Sequence, residues 1–360
     1  MGVTRPLLQQ ELHHDHHPPR RSDGTLQQTR KREPWPEGRI FRILSIDGGG
    51  IKGVFGASYL AEIERHFLNG QSIANHFDMI TGTSTGGIIA LALAVGMTAR
   101  QAAAIYTERG SVIFPKGKGI FDLPRWLQRP KHDQSVLKDE LLNVFGERLL
   151  DDATTRLVIP SFEGRYGEPY IYKTPHHPDY KKDRHAKAAY VALHTSAAPG
   201  YYPGVENDGH IMIDGGIWAN NPVMNAVVDA LACYDLPREN IRILSIGTGD
   251  EVLGLDEGVR NGGLWRWIFP GLGKAPMIFR AAAKAQSHNA LGQAYLLVGK
   301  QNVIRIDPPE SEKPIGLDDV ERAVTELPRL ARSHAEATGH YVNQMFLGDI
   351  ADRFIKCALS

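Results

Sequence analysis

Short apolar runs alternate along the chain with longer stretches in which apolar residues recur every three to four positions. The runs Ile40–Asp47, Phe77–Thr81, Arg156–Pro160, Tyr170–Thr174, Ile211–Asp214, Ile241–Gly247 and Val303–Asp307 read as strands. Between them, Ile51–Leu68 places Val54, Leu60, Ile63 and Phe67 near one helical face, and Thr85–Gly96 is an apolar helix. Thr98 stands where an N-cap hydroxyl would start the helix through Ala104 and Tyr106. Further helices are predicted over Ser135–Leu149, Ala188–Ala198, Asn225–Cys233, Pro276–Leu297 and from the last strand to about residue 356. Nearly all-apolar strands are buried on both faces. Their alternation with helices predicts an α/β fold with a mainly parallel central sheet covered by helices on both faces. One domain is expected over 39–360, with 111–134 as a loop or cap insertion. Residues 1–38, rich in His, Pro, Arg and Gln, lack hydrophobic periodicity and read as a disordered tail.

Composition narrows the function classes. The 360 residues are 42% hydrophobic, enough for one large core, and 41 Lys plus Arg balance 41 Asp plus Glu. That balance argues against a nucleic-acid polymer as partner held by bulk charge. Cys233 and Cys357 have no metal-type spacing and read as buried free thiols in a reducing, cytoplasmic compartment. No leader peptide is legible, and Pro6 breaks a myristoylation pattern at Met1-Gly2. The longest apolar run, Ile88 to Val95, falls far short of the ~20 residues of a membrane span. A soluble protein that reaches membranes from the water side is expected. His13-His14-Asp15-His16-His17 and Arg30-Lys31-Arg32 read as solvated tracts rather than ligand sites.

Three candidate sites lie at the C-terminal ends of strands, where open α/β sheets place ligands. Gly48-Gly49-Gly50-Ile51-Lys52-Gly53 joins a strand to a helix. Such a turn exposes backbone N–H groups to a phosphate or an oxyanion. Its spacing also matches a dinucleotide fingerprint, which requires an acid at the end of the second strand. Asp78 stands at the beginning of that strand, so the cofactor reading is disfavoured. The second site, Gly82-Thr83-Ser84-Thr85-Gly86, has the G-x-S-x-G form of a nucleophile elbow, with glycines two before and two after the serine. The third is Asp214-Gly215-Gly216 after Ile211-Met212-Ile213; its bland reading is a turn-capping Asp.

A triad would place a His in a loop after a late strand, but Pro308-Pro309-Glu310 follows the last one, and His288, His334 and His340 fall in predicted helices. A direct Ser84–Asp214 dyad is therefore preferred, with burial raising the Asp pKa toward that of a working base.

These motifs, in this order, resemble the patatin-like phospholipase family, over roughly residues 40–250. Ser196-Ala197-Ala198-Pro199 and Asn221-Pro222 add to the resemblance. It implies that Gly48, Gly49, Gly50, Lys52 and Gly53 form the oxyanion hole, Ser84 is the nucleophile and Asp214 the base. It further implies hydrolysis of lipid acyl esters without a metal or other cofactor. The wording Leu44–Phe55 with Ile217–Pro222 is similar to phospholipase effectors of bacterial anti-phage systems that a cyclic dinucleotide switches on. That likeness implies a cyclic-dinucleotide activator and action on membrane phospholipid at the inner face, and leaves a homo-oligomer open. Leu264-Trp265-Arg266-Trp267-Ile268-Phe269 reads as either a lipid-contact tract or a buried turn, and Lys116-Gly117-Lys118 as a solvated loop. The rival functions are a nucleotide-binding oxidoreductase using the glycine loop and a catalytically silent module on the same scaffold.

Overall fold

The computed structural model describes residues 30–114, 129–249, 267, 277–309, 315–352, 354, 356 and 357. The His-rich tract, Lys116-Gly117-Lys118 and all of the aromatic tract except position 267 lie outside these residues.

Among the described residues, eight strands form the main sheet: β2 (Phe41–Ile46), β3 (Met79–Gly82), β4 (Arg156–Glu163), β5 (Glu168–Lys173), β6 (Val205–Asn207), β7 (His210–Asp214), β9 (Ile241–Ile246) and β10 (Val303–Ile306). Their order is β10-β9-β2-β3-β4-β7-β6, with β5 also paired to β4. Among the described residues, a separate two-stranded sheet joins β1 (Glu33–Pro34) to β8 (Tyr234–Asp235). The pairs from β10 to β4 are parallel, as the apolar runs predict. The rest of the sheet is antiparallel: β4 with β5, β4 with β7, and β6 with β7. Strand β6 and the β1–β8 pair are too short to give a period-two signal, and the sequence reading missed them.

Alternation along the central strands feeds two cores. Phe41 and Ile43 of β2 pack on one face, with α7 (Val223–Cys233) and α8 (Met277–Val298). Leu44 and Ile46 pack on the other, against α1 (Gly53–Phe67), α2 (Thr85–Ala94), α3 (Ala99–Ile113) and α9 (Val320–Phe346). The result is a three-layer α/β/α architecture. Helix α2 is buried at every position, as its unbroken apolar sequence requires. Thr98 caps α3 in a full capping box with Gln101. Two further helices, α4 (Gln134–Phe145) and α5 (Ala188–Ser196), pack on each other, and a short α6 (Gly216–Ala219) follows β7. The last helix stops at Phe346, ten residues short of the expected end near 356.

Among the described residues, specific packing is already present at Arg30, eight residues before the boundary of 38 read from sequence. The Arg30 guanidinium pairs with Asp179 at 3.1 Å and lies over the Tyr180 ring, so it is half-buried rather than part of a solvated charge run. Trp35 packs against Phe41 and Tyr234.

Candidate active site

The turn between β3 and α2 holds Ser84 at φ 55° and ψ −123°, a backbone conformation that costs an L-residue about 1–3 kcal/mol. Two close approaches enforce it. A Cβ on Gly82 would lie 2.1 Å from the Gly86 carbonyl oxygen, and one on Gly86 would lie 2.2 Å from that of Ile46. The turn is anchored on both sides: the Ser84 N–H donates to the Thr195 hydroxyl at 3.1 Å, and the Thr83 hydroxyl to the Ala219 carbonyl at 2.6 Å.

Asp214 reaches Ser84 by a route that a parallel sheet does not offer. Strand β3 runs parallel to β4 with Thr81 opposite Val158; β7 runs antiparallel to β4 with Asp214 opposite Ser161. Strand β5 occupies the other edge of β4 from Val158 to Glu163, so β3 and β7 share one edge. They approach from opposite directions, and their C-terminal ends meet there. Gly215 lets the chain pass: a Cβ on it would sit 2.4 Å from the Pro160 carbonyl.

The Asp214 carboxylate accepts the Gly216 N–H at 2.7 Å and faces the Ser84 hydroxyl, which favours its charged form. Burial pushes its pKa up to about 6, against the opposing pull of Ser84 and Gly216. No histidine among the described residues lines the cavity at Ser84. His288 lies on α8, and His334 and His340 on α9.

The glycine turn rests against this pair. A Cβ on Gly48 would come within 3.4 Å of the Ser84 Cβ, and one on Gly53 within 2.2 Å of the Thr85 hydroxyl. Of the five residues read as an oxyanion hole, three have other tasks for their amides. The Gly48 N–H donates to Asn220 O at 3.0 Å and the Lys52 N–H to Gly49 O at 3.2 Å, while the Gly53 N–H caps the preceding turn on Gly50 and Ile51. Among the described residues, the Gly49 and Gly50 amides meet no protein acceptor. Gly50 takes φ +57°, and a Cβ there would lie 2.4 Å from Leu317 O, which accepts the Ile51 N–H at 2.9 Å. Strand-end Asp47 is buried and pairs through both oxygens with Arg305, at 3.0 and 2.8 Å. Asp78, at the opposite end of β3 from the acid a dinucleotide site would need, is buried just before the strand and accepts the Arg42 N–H.

A cavity of about 470 Å³ opens over Ser84 and Asp214. Ile88, Ile105, Ile113, Leu137 and Leu327 make one wall apolar, and Arg280 and Lys284 of α8 line another part. A mostly apolar cleft of this size with a few convergent polar groups suits an apolar chain bearing a polar end.

Sequence reasoning missed Arg305 and Thr195. A lone Arg in the four-residue apolar strand β10 was the available signal for the first, since a buried guanidinium needs a buried partner. Thr195 left no signal, because its role depends on where α5 docks.

The fold also gathers His176, Asp229 and Cys233 away from the cavity, which the cysteine spacing did not suggest. Burial works against the Asp229 charge, yet His176 and the Lys173 ammonium, 2.5 Å away, hold its pKa well below the usual carboxylate range. The Tyr180 hydroxyl donates to the same carboxylate, and burial pushes the Cys233 thiol up to about 11. A protein cation already neutralises this carboxylate, so the donor set fits a buried ion-pair network rather than a metal site.

A family model described as patatin-like phospholipase matches residues 44–227, which include the glycine turn, the elbow and the Asp214 turn. The chain is 33% identical over 327 residues to the cGAMP-activated phospholipase of Pseudomonas aeruginosa, covering 87% of this chain and 93% of that one. It is likewise 33% identical over 341 residues to the cGAMP-activated phospholipase of Vibrio cholerae, covering 86% and 93%. Patatin-like protein 4 of Arabidopsis thaliana is 29% identical over 327 residues, covering 80% and 81%. With the model spanning half the chain and the bacterial relatives nearly all of it, the chain belongs to the patatin-like phospholipase family.

Proposed function

We propose that the protein cleaves acyl esters of membrane phospholipids with Ser84 as nucleophile, Asp214 as general base and the Gly49 and Gly50 amides as the oxyanion hole. One observation carries this reading: a serine in a strained elbow faces a buried carboxylate across one cavity, beside two unengaged amides. As the Ser84 hydroxyl oxygen attacks the ester carbonyl carbon, its proton passes to Asp214. The carbonyl oxygen becomes an oxyanion and takes hydrogen bonds from Gly49 and Gly50. Collapse expels the alcohol half of the lipid, which leaves with the proton from Asp214. Asp214 then deprotonates a water that attacks the acyl-serine, and the fatty acid departs as Ser84 recovers its proton. A pKa near 6 suits both roles, since Asp214 is ionised at neutral pH yet far more basic than a solvated carboxyl.

Similarity over most of the chain to proteins named cGAMP-activated phospholipases supports a cyclic dinucleotide as the switch for this activity, and the motif resemblance carries with it a place in anti-phage defence. Among the described residues, no helix is long and apolar enough to cross a membrane. In our reading the protein meets its substrate from the water side, at the inner face. The test is product analysis of phospholipid vesicles incubated with wild type and Ser84→Ala, each with and without cGAMP. Free fatty acid and lysolipid are expected from the wild type with cGAMP and from neither Ser84→Ala sample. Release that ignores cGAMP would remove the switch, and release by folded Ser84→Ala would remove the nucleophile.

A further inference from the structure

Residues 195–197 run between the two turns that carry Ser84 and Asp214. The Thr195 hydroxyl accepts the Ser84 N–H at 3.1 Å and donates to the Pro160 carbonyl at 2.5 Å. The Thr195 carbonyl accepts the Gly215 N–H at 3.4 Å, and the Ala197 carbonyl accepts the Asp214 N–H at 3.0 Å. Pro160 lies between Val158 and Ser161, the positions of β4 where β3 and β7 meet end to end. Thr195 is thus bonded to both turns and to the strand that brings them together. It is fully buried and does not line the cavity, so it touches no substrate.

We infer that Thr195 is a positioning residue that holds the Ser84 hydroxyl in line with Asp214; this rests on the dyad proposed above. The strained backbone at Ser84 relaxes by turning its peptide unit, and the Thr195 hydroxyl fixes the N–H that would turn. Without that acceptor the Ser84 N–H is buried and unpaired, and the elbow shifts until it finds another partner. A displacement of about 1 Å at a reacting atom lowers rate on the order of a hundredfold while leaving distant substrate contacts in place.

Two reciprocal variants separate alignment from packing. Thr195→Val keeps the methyl group that packs against Gly87, where a Cβ would lie 2.8 Å from it, and removes the hydroxyl. Thr195→Ser keeps the hydroxyl and removes the methyl. Alignment predicts that Thr195→Val loses roughly a hundredfold in kcat with KM nearly unchanged, and that Thr195→Ser stays within about threefold of wild type. It also predicts that the acid limb of the kcat–pH profile moves to higher pH in Thr195→Val, because the ionised Asp214 loses the nearby Ser84 hydroxyl that favours it. A smaller folded fraction would not move that limb. Wild type, both variants and Ser84→Ala are assayed on one activated ester, with thermal melts alongside. If folded Ser84→Ala still turns over, the dyad falls and this inference with it. If Ser84→Ala is inactive while folded Thr195→Val matches wild type, the dyad stands and the alignment role is overturned. Should Thr195→Val fail to fold, Thr195→Ser decides: kcat within about threefold supports alignment, and a loss beyond about tenfold assigns the residue to packing.

Discussion

Replacing Asp214 with Asn should abolish turnover and, at neutral pH, make the protein more stable. The carboxylate is buried and its pKa is raised from the ordinary 3.8 to about 6. A folded-state pKa above the unfolded value means that the native state binds the proton more tightly. Its contribution is then fully present below about pH 4 and lost as pH rises through 6. Each tenfold in proton affinity is worth about 1.4 kcal/mol, so ionised Asp214 costs the fold roughly 3 kcal/mol at pH 8 and about half that at pH 5. Asn keeps the shape and an oxygen for the Gly216 N–H, and it has no charge to bury. Glu64, which burial also raises to about 6, titrates in wild type and variant alike and cancels in the difference. Denaturant unfolding of both proteins at pH 8, 5 and 3.5 should show a gain of about 3 kcal/mol for Asp214→Asn, then about half, then none. A variant no more stable than wild type at pH 8, or one whose advantage persists unchanged at pH 3.5, would refute the assignment of Asp214 as a carboxylate held charged at a cost for the sake of chemistry.

Ser84→Ala and Asp214→Ala should each abolish ester hydrolysis in a folded protein, and the double variant should be little worse than either, because the two act as one unit; single-turnover kinetics on the three proteins checks this. Gly50→Ala places a methyl group against Leu317 O and forces a positive φ, so turnover should fall roughly a hundred- to a thousandfold, as for a lost oxyanion donor, with calorimetry showing no NAD(P) or FAD binding by the wild type. Arg305→Met removes both guanidinium bonds from the buried Asp47 carboxylate, which should destabilise the fold by about 3–5 kcal/mol, with Asp47→Asn in the same chain recovering part of it. Substituting Gln for His288, His334 or His340 should leave substantial turnover, and a loss comparable to that of Ser84→Ala in any of them would restore a histidine base.

What the sequence determined by itself is what local physics encodes within a few residues. Alternating apolar runs set the strands, an unbroken apolar run set α2, and Gly82 and Gly86 around Ser84 specified a turn that only those residues fit. Asp214-Gly215-Gly216 at a strand end was legible for the same reason. The direction of β7 was not, because nothing within its five residues distinguishes a strand that pairs antiparallel from one that pairs parallel. Of the three amides that the five-residue glycine turn commits elsewhere, those of Lys52 and Gly53 are taken locally, but the loss of the Gly48 N–H was hidden, since its acceptor, Asn220 O, comes from a distant element. Thr195 lies 111 residues from Ser84, and Arg305 lies 258 residues from Asp47. Such partners have no spacing or period to betray them. The order of strands in the sheet and the docking of α5 decide them, and those follow from burying both faces of the sheet at once rather than from any short stretch of chain.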